Sequence, residues 1–305
     1  MRITGVKTAV RTSETMNEQF LALLIRAESL LARVEQILPQ PLTAPDWTTH
    51  AIAWRYRKRA SGHGALEPVQ HVASISLGDL KEIDVQKEKI QRNTEQFVSG
   101  HTANNVLLTG ARGTGKSSLI RACLAEYAPR GLRLIEVDKS DLVDLPDIID
   151  VIAERPEKFI IYCDDISFEE GDGSYKALKS VLDGSISGGA SNMLIYATSN
   201  RRHLLPEYKK ENLSYTHTPD GEVHPGEVVE EKISLSERFG LWVSFYPFTQ
   251  DEYLAIVAQW LRNLNVAESR IEAAQKESLV WSLERASRSG RVAFQFAKDF
   301  AGRQV

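Results

Sequence analysis

The chain of 305 residues has little cysteine, no long apolar run and no large excess of either charge. Its two cysteines, Cys123 and Cys163, stand in separate apolar stretches. That excludes a disulfide framework and a cysteine zinc site, and it fits a reducing, cytoplasmic setting. No run of about eighteen apolar residues occurs and "MRITGVKTAVRTSETMNEQF" holds no apolar segment, so neither a membrane span nor a secretory leader is expected. Formal net charge is -4 and the pI about 6.0, so no global positive field draws the chain onto nucleic acid or anionic lipid. Internal repeats are absent, and low complexity is confined to the polar loop 201–233. A composition of 42% hydrophobic and 26% charged residues suits one large or two modest soluble domains.

Within 15–38, Phe20, Leu23, Leu24, Leu30, Leu31, Val34, Ile37 and Leu38 recur at helical spacing, and Pro39 and Pro41 end the pattern. Residues 1–78 therefore read as a mostly helical N-terminal extension. Inside it, Trp54, Tyr56 and Lys58 alternate with Arg55, Arg57 and Arg59. Aromatics interleaved with cations suit a single-stranded nucleic-acid surface, and the same alternation suits a strand with one solvated face. From Asn105 the pattern changes to the short apolar runs "NNVLLT", "LRLIEV", "KFIIYC", "MLIYA" and "LWVSF", separated by helical stretches. Continuous apolar strands between helices predict a parallel sheet covered on both faces, in an α/β domain over 79–247. After Pro247, "TQDE" at 249–252 is a capping box, and two further helical stretches follow over 268–286 and 291–301, which makes 248–305 a helical lid.

Between the first apolar run and the helix after it lies "GARGTGKSS". Gly110, Gly113, Gly115, Lys116 and Ser117 satisfy G-x-x-x-x-G-K-[ST] in the strand–turn–helix context this motif needs. The backbone of Gly110, Ala111, Arg112, Gly113, Thr114, Gly115, Lys116, Ser117 and Ser118 can cradle phosphate oxygens at a helix N-terminus. Lys116 would reach the terminal phosphates and Ser117 would ligate Mg²⁺. Asp164 ends the apolar run "FIIYC", where a carboxylate can hold the metal, and Asp165 follows as a second acid able to polarise water. At the tip of the next run, Asn200 is positioned to orient water near the last phosphate, with Thr198 as the alternative. Arg238, beside Phe239 and just before the last strand, could reach a neighbouring copy's phosphate site.

Taken together these residues resemble the AAA+ ATPases: Walker A "GARGTGKS", Walker B "IIYCDD", sensor 1 "YATSN", finger box "SERFG" and "SGRVAF" as sensor 2. The resemblance covers about 80–305. It implies a P-loop NTPase fold with a five-stranded parallel sheet in the order 5-1-4-3-2, a helical lid, and ATP or ADP held between subunits of a homo-oligomer. It also implies Arg238 as the finger and Arg291 as the sensor 2 arginine, with Arg288 as the alternative. "DDISF" and "SERFGLWVSF" resemble bacterial replication initiators, but no helix-turn-helix pattern follows the lid, so base reading in their manner is not expected. "NTEQFVSGHTANNVLLTGARGTGKSSLIRA" and "IYATSNRRHLLPE" resemble a bacterial family of predicted AAA+ ATP-binding proteins.

The expected function is an ATPase that binds MgATP and hydrolyses it on self-assembly, coupling nucleotide state to a protein or nucleic-acid partner. Asp165 stands where most AAA+ enzymes have glutamate, and its shorter reach predicts slow, switch-like turnover. A nucleotide-gated loader or adaptor and a P-loop phosphotransferase are the alternatives. His203, His217 and His224 match no metal-ligand spacing, and Trp54, Trp242, Trp260 and Trp281 read as core residues.

Overall fold

A computed structural model describes residues 20–34, 42, 44–58, 64–73, 75–168, 172–184, 191–201, 204, 216–217, 223–224 and 237–303. The chain divides into two units, Met1–Pro41 with Ala60–His63 and Leu42–Arg59 with Gly64–Val305. In the first, residues 20–34 form helix α1, whose apolar side chains, Phe20, Leu23 and Leu31 among them, are exposed. Ile37, Leu38, His203 and most of the loop 201–233 lie outside the described residues.

The second unit is built on β1 (Ala53–Lys58), β2 (Gly64–Pro68), β3 (Val106–Gly110), β4 (Leu132–Glu136), β5 (Lys158–Cys163), β6 (Met193–Ser199) and β9 (Leu241–Phe245). A separate antiparallel pair joins β7 (Thr216–His217) and β8 (Val223–His224). The large sheet runs β2-β1-β4-β5-β6-β3-β9. Its five parallel strands β9-β3-β6-β5-β4, counted from the strand before the glycine turn, follow the expected order 5-1-4-3-2.

The sheet has seven strands where five were expected, because Ala53–Lys58 and Gly64–Pro68 add two strands at its edge. β1 pairs in parallel with β4, and β2 pairs antiparallel with β1, so β4 is no longer an unpaired edge. The alternation at 54–58 resolves as a half-buried strand. Trp54 and Tyr56 are 1% and 3% exposed, while Arg55 bonds Glu136 at 2.6 Å and Lys58 bonds Asp144 at 2.9 Å. Arg55 and Lys58 are thus paired within the fold, Arg57 stays largely exposed 3.8 Å from Glu67, and Arg59 lies outside the described residues.

Apolar side chains of the strands alternate between two layers. Leu107, Ile135, Ile161 and Ile195 pack with Ile148 and Ile152 of α4 (Leu145–Ile152) and Leu178 of α5 (Gly173–Leu182). Leu108, Leu134, Ile160 and Tyr196 pack on the opposite side with Ile90 and Phe97 of α2 (Asp84–Val98) and Leu119 and Leu124 of α3 (Lys116–Tyr127). Helices on both faces explain why the strands read as unbroken apolar runs.

Beyond Pro247 the lid comprises α6 (Gln250–Asn263), α7 (Glu268–Glu284) and α8 (Gly290–Gly302), packed around their own cluster that includes Tyr253, Leu261 and Phe296. The capping box forms as the sequence predicts. Thr249 Oγ1 accepts from the Glu252 amide at 3.3 Å, and the Glu252 carboxylate accepts from the Thr249 amide at 2.7 Å. No helix among the described residues is long and apolar enough to cross a membrane.

Candidate functional site

The turn between β3 and α3 is glycine-rich because its backbone demands it. Gly113 and Gly115 hold φ of 73° and 100°, the left-handed region that favours glycine. A Cβ at Gly113 would lie 2.8 Å from Ser289 Cβ, so this turn also touches the lid directly. The amides of the first turn of α3 open into a cleft of about 760 Å³, lined by residues 112–118 of the loop, by Asp164, Asp165, Thr198 and Asn200 from the strand ends, and by Gly290 and Arg291 of the lid.

Lys116, 6% exposed, donates from Nζ to the carbonyls of Gly110 and Ala111 at 2.7 and 2.8 Å and to Asn200 Oδ1 at 3.1 Å. Burial pulls its ammonium below the ordinary lysine pKa, against the opposing pull of the Asp165 and Asp164 charges. Asn200 in turn donates from Nδ2 to Asp165 Oδ1 at 2.5 Å. Phosphate-loop lysine, strand-tip amide and second acid thus form one continuous relay.

A second connection runs to the first acid. Ser117 Oγ donates to Asp164 Oδ1 at 2.8 Å, and Thr198 Oγ1 donates to the same oxygen at 2.5 Å. Burial pushes the Asp164 carboxyl up, yet Thr198, Tyr162, Ser117 and the Arg121 charge together outweigh it and hold the group below the usual carboxylate value. A hydroxyl and an ionised carboxylate side by side are the hard oxygen donors that Mg²⁺ takes, its remaining positions going to water and phosphate. Among the described residues no cluster of three or more His, Cys, Asp and Glu forms a protein-only metal cage. The Ser117 hydroxyl and Asp164 carboxylate are donors that fit a magnesium ion.

The cleft brings together Arg112, Gly113, Thr114, Gly115, Lys116, Ser117 and Ser118 with Asp164, Asp165, Asn200 and Arg291, while Gly110 and Ala111 lie outside its lining and accept from Lys116 Nζ. Arg238 stands outside its lining, and its Nε donates to Asp183 Oδ1 at the C-terminal end of α5. Phe239 beside it is 3% exposed and anchors the segment in the core. Of the paired alternatives, Asn200 bridges the lysine and second acid while Thr198 contacts both aspartates, so both strand-tip residues take part.

Three features of the cleft escape the motif reading. Arg121 lines it one turn beyond Ser117 on α3, a helical i+4 spacing that could have revealed it. Trp260, expected in the core, packs against the lid cluster and lines the cleft as well, with its ring 4.6 Å from that of Phe294. Ile75, Leu80 and Ile83 line it as well, from the stretch before α2, where no motif marks them. Asn263 of the lid donates to Asp79 Oδ1 at 2.7 Å and ties that stretch to α6.

A parallel sheet in this order, a phosphate loop facing strand-end acids and a three-helix lid define the AAA+ P-loop ATPase fold. Within that class the chain belongs to the family described as a protein of unknown function, DUF815, which it matches over residues 48–304. The replication factor C large subunit of Sulfolobus acidocaldarius is 40% identical over 81 residues, 26% of this chain and 18% of that protein. Among solved structures, Aeropyrum pernix ORC1 in complex with DNA aligns at 15% identity and a TM-score of 0.50, covering 77% of this chain and 63% of that one. The Thermotoga maritima RuvB Holliday junction branch migration motor aligns at 17% identity and a TM-score of 0.46, covering 74% and 64%. The chain thus spans less than two thirds of both solved proteins and under a fifth of the curated relative.

Proposed function

We propose that this protein binds MgATP in the cleft and hydrolyses it slowly when copies of the chain associate, coupling its nucleotide state to a partner. The observation that carries this reading is the relay from Lys116 through Asn200 to Asp165, set beside the Ser117–Asp164 pair on the same cleft wall. Cleft charge supports it. Lys81, Arg112, Lys116, Arg121 and Arg291 face Asp79, Asp164 and Asp165, five cations against three carboxylates, an excess that complements an anionic nucleotide.

On this reading the amides of 110–118 and Lys116 bind phosphate oxygens, so Lys116 exchanges its backbone carbonyl partners for the ligand. Ser117 and Asp164 hold Mg²⁺, which neutralises charge on the phosphates when bound. Asp165, steered by Asn200, accepts a proton from the attacking water. Arg291 faces the phosphate region of its own cleft, and Arg238, presented from outside it, supplies charge to the site of a second copy. Trp260, Phe294 and Ile83 offer an apolar slot for the base. Two buried, unpaired thiols suit a cytoplasmic setting.

Titration calorimetry of ATP with Mg²⁺ into the full chain tests the site. Lys116→Ala removes a charge-assisted contact and weakens binding by about tenfold or more. Unchanged affinity in that variant removes the cleft as the nucleotide site.

A further inference from the structure

Adjacent residues of a strand point to opposite faces, yet Asp164 and Asp165 line the same cleft. They do so because Asp165 leaves the extended conformation, with φ of 50° in the left-handed region. Aspartate tolerates that region better than most residues but does not choose it unaided.

Three hydrogen bonds hold this turn, and all go to Thr198 of β6. Its hydroxyl donates to Asp164 Oδ1 at 2.5 Å and accepts from the Asp165 amide at 2.8 Å, and its carbonyl accepts from the Ile166 amide at 2.8 Å. A hydroxyl has one proton and two lone pairs, so its single O–H is committed to Asp164 while a lone pair receives Asp165. Thr198 is 1% exposed, which leaves little water to substitute for either bond. The bond to the Asp165 amide fixes the left-handed residue, and that residue directs its carboxylate toward Asn200. The bond to Asp164 Oδ1 fixes the other carboxylate beside Ser117.

We propose that Thr198 is a positioning residue: its hydroxyl splits the two neighbouring aspartates, aiming one at the metal-holding serine and the other at the water-orienting amide. The role rests on the reading of Asp164 and Asp165 as the metal-holding and water-activating groups. It acts through those acids and requires no contact between Thr198 and the nucleotide.

The test uses the full chain with Thr198→Val, Thr198→Ser and Asp165→Asn, measuring ATP affinity by titration and turnover at saturating MgATP. Valine keeps the volume and β-branch but offers neither hydrogen bond, so kcat falls about 10- to 100-fold, as expected when a reacting group is misplaced. ATP affinity stays within about threefold, the pattern of a lost transition-state interaction. Serine keeps the hydroxyl and restores most of kcat. Parent-like turnover in Thr198→Val beside an inactive Asp165→Asn overturns the proposal, and so does slowing by serine as great as by valine, because serine keeps the hydroxyl and the effect would then lie in packing at this buried position. Parent-like turnover in Asp165→Asn instead overturns the underlying reading of the acids. Should the valine variant fail to fold in a thermal melt, Thr198→Cys, with a weaker donor, is expected to give an intermediate kcat. Full activity there counts against the hydroxyl.

Discussion

The side-chain amide of Asn200 donates to Asp165 Oδ1 at 2.5 Å, joining the tip of β6 to the acid that follows β5. Because the Asn200 carbonyl also accepts from Lys116, one residue contacts both the loop lysine and the second acid. Any ligand that draws Lys116 away frees one end of Asn200 without releasing the other.

Asn200→Ala is therefore expected to lower turnover by roughly 100- to 1,000-fold, the range seen when one preorganised donor is removed from a reaction site. Nucleotide affinity should move far less. A coupled phosphate-release assay beside a binding titration separates the two, and a variant that loses affinity and turnover in equal proportion would place Asn200 in ground-state binding.

Arg238→Ala should retain ATP binding and lose turnover about a thousandfold, the lower range for an arginine acting in trans. Mixed with Asp165→Ala protein, it should regain part of the activity, since each variant then supplies the group the other lacks. Activity that stays at baseline across a concentration series of the mixture would sink the intersubunit site.

Trp260 lines the cleft beside Phe294, so nucleotide should change its emission. The chain has five tryptophans, and Trp260→Phe should remove most of the nucleotide-dependent change while the other four continue to emit. Trp260→Ala is expected to weaken ATP by about five- to tenfold, the scale of one aromatic contact. A full fluorescence response in Trp260→Phe would show that the base lies elsewhere.

The phosphate loop, both strand-end acids and Asn200 were legible in the sequence because each is fixed locally, a few residues from the end of an apolar strand. The capping box of α6 was legible for the same reason, since a cap is a four-residue event. The β1–β2 pair was not, because its stability comes from docking on β4, about eighty residues away along the chain, as in Trp54 opposite Ile135. The place of Trp260 on the cleft wall, beside its packing on the lid cluster, carries no sequence signal, because a helix sets apolar side chains on one stripe whether that stripe meets core or cleft. Asp183 as the partner of Arg238 carries no motif at all, since the two meet only through the packing of α5 against the segment before β9.

The near-contact of Gly113 with Ser289 makes the lid a gauge of the phosphate loop's shape. Gly290 leaves only slightly more room, since a Cβ there would stand 3.2 Å from the Gly113 carbonyl oxygen. Like two leaves of a closed book, neither segment can shift without the other registering it. Gly113→Ala would drive a wedge into the spine and strain the left-handed turn of the loop at the same time, so both leaves would have to give way together.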